Sequence, residues 1–322
     1  MLNLFKIAAN AFRESLREPV YCLMRLAALL LVSSYPALAL FAFSEPLKLV
    51  VDSSMATGLL FGLIVAVLCA GNTVAREMRN GTVLLLMSKP VSRWSFILGK
   101  ILGIAAAVTL FALLCNLGCV VSVYVAVDQF RYEKSIYYGF LGVIAAGAVC
   151  GMVANFMRGS SFTEVCTYAL TVLMVLFAGA LLKWGKAPQG VVVSDLLKAL
   201  TLVNFACIAM ATVAAVAATR LDVVPNMCVC TAVFFMGLLS SWLFRQFENT
   251  KSEFLKQLLT ILYSIFPNWQ FFWLVDSIAM KRHIPGSYVG MAALYMGLFV
   301  VIAAMWAVVL FQEKEIAGDS RN

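Results

Sequence analysis

The chain is 322 residues long, 63% hydrophobic and only 12% charged, with a formal net charge of +8. That balance excludes a soluble globular domain and points to an all-α polytopic membrane protein of about eight transmembrane helices, with six as the competing count. The basic residues are scattered through loops and carry no RNA-reading aromatic motif, so they read as topology signals and lipid contacts, and nucleic acid is excluded as a partner.

In chain order, residues 2–18 place Leu4, Ile7, Ala8, Ala11, Phe12, Ser15 and Leu16 on one side of a helix, with Lys6, Arg13, Glu14 and Arg17 largely on the other. The pattern fits an amphipathic helix lying in the membrane plane, with a solvated arm as the alternative. Charges at helical spacing from Phe5 to Glu18 also argue against a cleavable leader, so the first span is expected to stay in the protein. That span, about 20–43, contains Pro36 and Arg25; Arg25 is expected to snorkel to the surface, since an arginine at mid-bilayer costs about 2.5–3.5 kcal/mol. A short outer loop through Glu45, Lys48 and Asp52 precedes the second span, about 54–75. The third span runs to about 127 and a charged outer loop, 128–134, follows it.

The fourth and fifth spans, about 135–157 and 162–182, flank the tight turn Arg158-Gly159-Ser160-Ser161. Residues 183–198 read as an outer loop that becomes helical near Ser194. The sixth span, about 199–218, is separated from the seventh by Thr219-Arg220-Leu221-Asp222 and Pro225-Asn226, and the seventh runs to about 244. The long polar interval 245–287 predicts an outer amphipathic helix through Phe254, Leu255, Leu258, Leu259 and Leu262, then an aromatic belt at 266–273. The last span, about 288–311, leads to Glu313-Lys314-Glu315-Ile316. The resulting segments are 1–19, 20–75, 76–95, 96–244, 245–287 and 288–322, with both ends of the chain inside. The six-span alternative makes two of the later runs re-entrant or interfacial. Small-xxx-small faces occur at Gly58/Gly62, Gly99/Gly103 and Gly147/Gly151.

The stretch from Arg76 to Gly103, REMRNGTVLLLMSKPVSRWSFILGKILG, organises the front half. Arg76, Arg79, Lys89 and Arg93 lie between two apolar runs, and short loops rich in Lys and Arg stay on the cytoplasmic side. Asn80-Gly81 and Pro90 break the chain, and Ser92 can cap the helix that Trp94 carries into the bilayer interface. Between the breaks, Thr82 to Met87 makes a short apolar helix, suited either to rest on headgroups or to enter a groove on a cytoplasmic partner.

No catalytic constellation can be assembled. There is one histidine, His283, in a predicted outer loop beside Lys281 and Arg282, where it reads as a solvated residue. No HExxH, GxSxG or GxxxxGK[ST] pattern occurs, so the chain is not expected to bind or hydrolyse ATP by itself. The nine cysteines fall in apolar stretches and read as small packing residues rather than disulfide partners or metal ligands. Asn72, Asn116, Asn155, Glu164 and Asn204 are polar positions inside spans, serving as helix-to-helix glue or lining a wet path.

The loop residues Glu77, Gly81, Thr82, Ser88, Lys89, Pro90, Val91, Ser92, Arg93, Gly99 and Lys100 resemble the first cytoplasmic loop of type-2 ABC transporter permeases. The TRLDVVPN turn, the amphipathic start and the charged end resemble the same family more loosely. The resemblance implies the membrane subunit of an ABC exporter in the inner membrane, with no cofactor of its own. Its partners would be a second permease, identical or not, the surrounding lipids, and a separate cytoplasmic ABC ATPase that holds the ATP and magnesium. It further implies that Arg76, Glu77, Gly81, Thr82, Ser88, Lys89, Pro90 and Arg93 meet the ATPase while Leu84, Leu85 and Leu86 fill its groove, beside an interfacial helix carrying Lys6, Phe12, Arg13 and Arg17. The competing readings are a non-transporting membrane scaffold, which shares the composition, and a secondary transporter, which would need repeats and intramembrane acids that are not evident.

Overall fold

The computed structural model describes residues 2–41, 45–79, 93–128, 131–186, 190–247 and 267–319. The chain opens with α1 (Leu2–Arg17), stops at the extended Glu18, and restarts with Pro19 as the first residue of α2 (Pro19–Ala39). Proline fits there because the first-turn amide would lack an intrahelical acceptor anyway. α3 (Pro46–Ala70) runs on through a π-helical turn, Gly71–Ala75, into α4 (Arg76–Arg79). α5 (Arg93–Val125) leads into a small antiparallel ladder, β1 (Ala126–Asp128) with β2 (Arg131–Tyr132), and then α6 (Lys134–Arg158). Gly159 ends α6 in the left-handed region at φ 63°, donating its N–H to the Asn155 carbonyl, as an αL helix stop requires. α7 (Phe162–Trp184), α8 (Val193–Ala218) and α9 (Val223–Phe247) follow. A 3-10 turn (Trp269–Phe272), α10 (Val275–Ala279) and α11 (Gly286–Asp319) complete the described chain.

Among the described residues, eight helices are long and apolar enough to cross a membrane, which makes this a multi-pass helical membrane protein with the eight-span count. α3, α5 and α8 form the centre: 72% of the most apolar window of the second span is buried, against 22% in α6 and α11, whose outer faces are left for lipid or for another subunit. A second, smaller core joins the α6–α7 hairpin to α2 and α5 through Leu29, Leu114, Phe140, Cys166, Leu170 and Met174. Polar side chains stitch the centre internally. Tyr21 Oη donates to the Ala107 carbonyl (3.0 Å), Ser122 Oγ to the Val32 carbonyl (2.9 Å) and Asn116 Nδ2 to the Leu200 carbonyl (2.9 Å).

The structure departs from the sequence expectations in four places. Arg25 does not snorkel: it is fully buried, and its guanidinium donates to Thr167 Oγ1 and to the sulfurs of Cys22 and Cys166 while sitting 5.9 Å from the Tyr21 ring centroid. The reason is helical phase, because position 25 lies on the face of Tyr21, Cys22 and Leu29 that meets α5 and α7, whereas Leu23 and Leu30 point outward. Lys48 and Asp52 belong to α3 rather than to a loop, since the helix already starts at Pro46, and Lys48 reaches Asp276 at 3.1 Å. The start of the charged 128–134 loop is taken up by the β-ladder. The aromatic segment is also more than a surface belt: Trp269 and Phe272 are buried, with Trp269 lying over Gly237 of α9 and Phe271 meeting Tyr288 of α11 at a tilt and Tyr295 edge-on. The expected amphipathic helix through 254–262 lies outside the described residues.

The glycine faces mark close helix contacts. A Cβ on Gly147 would run into the Leu170 side chain, and one on Gly151 would lie 2.9 Å from Cys166 Cβ, so α6 and α7 approach at small residues. Gly142, one to two turns earlier on α6, faces open space. Gly147→Val should therefore lower the detergent-solubilised protein's stability by about 1–3 kcal/mol through overpacking. Gly142→Val should leave the apparent melting temperature unchanged or higher, and thermal denaturation of the two variants side by side checks both.

Candidate functional site

A set of linked ion pairs lies at the end of the bundle that carries α1. α1 lies across the start of α5, and two glycines allow the contact: a Cβ on Gly99 would fall 2.8 Å from Ile7 Cγ2, and one on Gly103 would fall 2.5 Å from the Ala8 carbonyl oxygen. Ala11, Ser15 and Leu16 are fully buried in this seam, and Phe12 packs against the core beside them. The expected amphipathic phase of α1 is thus correct, and its apolar side is covered by protein.

On the same seam Lys100 of α5 is only 3% exposed. Its ammonium donates to Glu77 Oε1 of α4 at 2.8 Å and to Glu14 Oε2 of α1 at 3.3 Å. Withdrawing an ammonium from water costs several kcal/mol, and two carboxylates at contact distance are what make the position tolerable. The triad therefore clamps three elements: the N-terminal helix, the end of the second span and the start of the third. A second ion pair extends the clamp, with Arg17 Nε 2.8 Å from Glu164 Oε2 in the first turn of α7 and Thr163 Oγ1 donating to the Arg17 carbonyl at 3.0 Å. With both acids ionised the triad carries one net negative charge. Burial, opposed by Lys100 and reinforced by the nearby Glu77 carboxylate, holds the Glu14 carboxyl above its ordinary value of 4.5.

Beside the clamp, the π turn widens the second span. Thr73 Oγ1 donates to the Cys69 carbonyl at 2.6 Å, and Gly71 packs so closely on the start of α9 that a Cβ there would lie 2.5 Å from Val223 Cγ2. A cleft of about 650 Å³ opens next to this contact, walled by Gly71, Asn72, Ala75 and Arg76 on one side and by Asp222, Val223, Val224 and Pro225 on the other.

Of the site residues expected from sequence, Arg76 is exposed on α4 and lines the cleft, Glu77 is in the triad, and Lys6, Arg13 and Arg17 are exposed along α1. Arg93 begins α5. Gly81, Thr82, Leu84, Leu85, Leu86, Ser88, Lys89 and Pro90 lie outside the described residues. The two helices that flank this loop, α4 and α5, are joined at their ends by the Glu77–Lys100 bond. Sequence reasoning missed the pairing of Glu14 with Lys100 and that of Arg17 with Glu164. The available signal was Lys100 itself, a cation inside an apolar run, which must find an anion on a neighbouring helix. Asn155 Nδ2 donates to the Ser160 carbonyl in the turn between α6 and α7, whereas Asn116 bridges from α5 to the Leu200 carbonyl of α8.

At the opposite end, the N-terminus of α8 holds a smaller polar knot. The buried Asp195 accepts from Lys198 (3.0 Å) and from the Ile284 N–H (3.3 Å), and His283 Nδ1 lies 3.3 Å from its other oxygen. His283 is thus exposed yet tied to a partner, and the knot fastens the segment before α11. Among the described residues no group of three or more His, Cys, Asp or Glu is placed to hold a metal ion.

A family model described as "ABC-2 family transporter protein" matches residues 6–316. No curated protein matches the chain.

Lys100→Met removes the cation that Glu14 and Glu77 share and should lower stability by about 3 kcal/mol, with much of the loss recovered in the Lys100→Met/Glu77→Gln double variant; denaturant titration of the four proteins of this cycle measures it. Glu14 also sets a pH dependence. Its folded-state value is raised, so its ionised form opposes folding at pH above that value, and the opposition is relieved as pH falls through it toward 4.5. The stability of wild type relative to Glu14→Gln should therefore increase as pH is lowered from neutral toward 5, as read from paired melting curves.

Proposed function

The chain belongs to the ABC-2 transporter family and is a membrane-spanning permease subunit of an ABC transporter, and from that premise we propose that it works as an exporter driven through the α1 end. In this reading the α1 end faces the cytoplasm of a cell bounded by an inner membrane. A separate ABC ATPase, which binds the ATP and magnesium, docks on the loop from Gly81 to Arg93, with Leu84 to Leu86 in its groove and Arg76, Lys89 and Arg93 at its surface. Two permease subunits complete the assembly, and the path for cargo opens between them.

The observation that carries this reading is the Glu14–Lys100–Glu77 clamp. A push on the loop arrives at α4 and α5, the two helices that leave it. Because Lys100 binds both α4 and α1, the three move as one body rather than sliding past each other. The second span, from Pro46 to Met78, and α5 are each 33 residues long, roughly 50 Å of helix. That exceeds a hydrocarbon core of about 30 Å, so both helices tilt or project beyond it, and a displacement at the base is delivered along their whole length. Since α3 and α5 also form the centre of the bundle, their tilt is the movement of the bundle.

The test is co-expression with a candidate ABC ATPase, purification in lipid nanodiscs, and comparison of copurification and ATPase rate. Wild type should hold the ATPase. A Gly81→Pro/Arg93→Ala variant should remain monodisperse and lose roughly tenfold of the permease-dependent ATPase rate, while Glu14→Gln should keep the ATPase bound and lower that rate less. Failure of wild type to retain any ATPase, with the loop variant indistinguishable from it, would reverse the reading in favour of a membrane scaffold.

A further inference from the structure

The cleft beside the π turn is not needed for the clamp, and its chemistry is specific. Its charged residues stand on opposite walls with opposite signs: Arg76 on the α4 side and Asp222 on the α9 side, both exposed. Among the described residues no ion pair joins them to each other. Asn72 adds an amide on the π-turn wall, and Val223, Val224 and Pro225 supply an apolar lining, with Val224 74% exposed. The volume, about 650 Å³, falls in the range of small-molecule sites.

The depth of the cleft identifies what can reach it. Arg76 is the first charged side chain after the uncharged stretch from Ser53 to Ala75, and Asp222 follows closely after the uncharged stretch from Ala199 to Thr219. Both walls therefore leave the apolar zone at this level, which is the depth of lipid headgroups. The Gly71–Val223 contact pins the two walls together, so the cleft is preformed. A purely anionic ligand would meet Asp222, and a purely cationic one would meet Arg76. A ligand with both charges satisfies the two walls at once.

We propose that this cleft binds the headgroup of a zwitterionic amphiphile, with its anionic group on Arg76, its ammonium on Asp222 and its apolar part against Val223, Val224 and Pro225. Binding at the site requires no ATPase, although Arg76 is shared with the surface assigned above to the ATPase. The same headgroup chemistry is offered by a bilayer lipid and by a soluble phosphorylated amine, and a binding experiment separates the two.

Purified full-length protein in a nonionic maltoside is titrated, by native mass spectrometry, with dihexanoylphosphatidylethanolamine, dihexanoylphosphatidylglycerol and O-phosphoethanolamine. Wild type should prefer the ethanolamine lipid over the glycerol lipid by about fivefold, a ratio suited to partly solvated ion pairs. Asp222→Asn should erase that preference, Arg76→Gln should weaken both lipids, and the uncharged filling variant Val224→Trp should weaken both without altering their ratio. O-Phosphoethanolamine binding as tightly as the lipid supports the site with a soluble ligand; binding far more weakly supports it with a lipid. A wild type with no preference, or an Asp222→Asn variant that keeps the preference while melting like wild type, overturns the proposal. None of these measurements involves an ATPase, so either result leaves the transport mechanism to be judged on its own test.

Discussion

A lysine ammonium withdrawn from water between two carboxylates is the constraint on which the α1 end depends. Lys100 cannot stay at 3% exposure without its anions, and those anions come from different elements, so satisfying one charge fixes the relative positions of three helices. The neighbouring glycines serve the same arrangement. Gly99 and Gly103 bring the α1 backbone against α5, which lets the short side chain of Glu14 reach across. Burial, close packing and charge pairing thus act together at one seam, and removal of any one of them loosens the other two.

Elsewhere the bundle solves the same problem with weaker tools. Arg25 is buried without a carboxylate partner among the described residues; a threonine hydroxyl, two thiols and an aromatic face share its charge instead. These partners sit on α2 and α7, so the guanidinium helps to hold the α6–α7 hairpin, whose own core is small. The contrast is informative. The α1 end is tied by full ion pairs, one of which, Arg17–Glu164, also reaches the start of α7, whereas deeper in the hairpin the contacts are softer and more polarisable, with helix-to-helix approach at Gly147 and Gly151.

Much of this architecture was legible in the residues because hydropathy has a long range along the chain. Eight apolar runs, the turn at Gly159, the turn before α9 and the apolar phase of α1 all follow from periodicity and from helix-stop chemistry. What was not legible depends on azimuth, the direction a side chain faces around its helix. Arg25 is the clearest case: its depth suggested snorkelling, but its direction placed it in a protein interface. Trp269 and Phe272 have the composition of an interfacial belt and the location of core residues, because the chain folds back under α9. The pairing of Glu14 with Lys100, 86 positions apart, is invisible to any local window, although a lysine within a span announced that some partner existed. Glu77 was singled out from the loop pattern, and only the three-dimensional arrangement supplies its role.

The π turn at Gly71–Ala75 has a consequence for how this segment tolerates change. A π turn accommodates an extra residue within a helix that is otherwise α-helical. Everything beyond it is therefore phased by that insertion, including Arg76 toward the cleft and Glu77 toward Lys100. Removing a single residue here would restore a regular helix and rotate the following turn by about 100°. Both side chains would then face the wrong way, although no apolar residue had been exchanged and the hydropathy of the span was unchanged. Length, rather than composition, is what this part of the span must conserve.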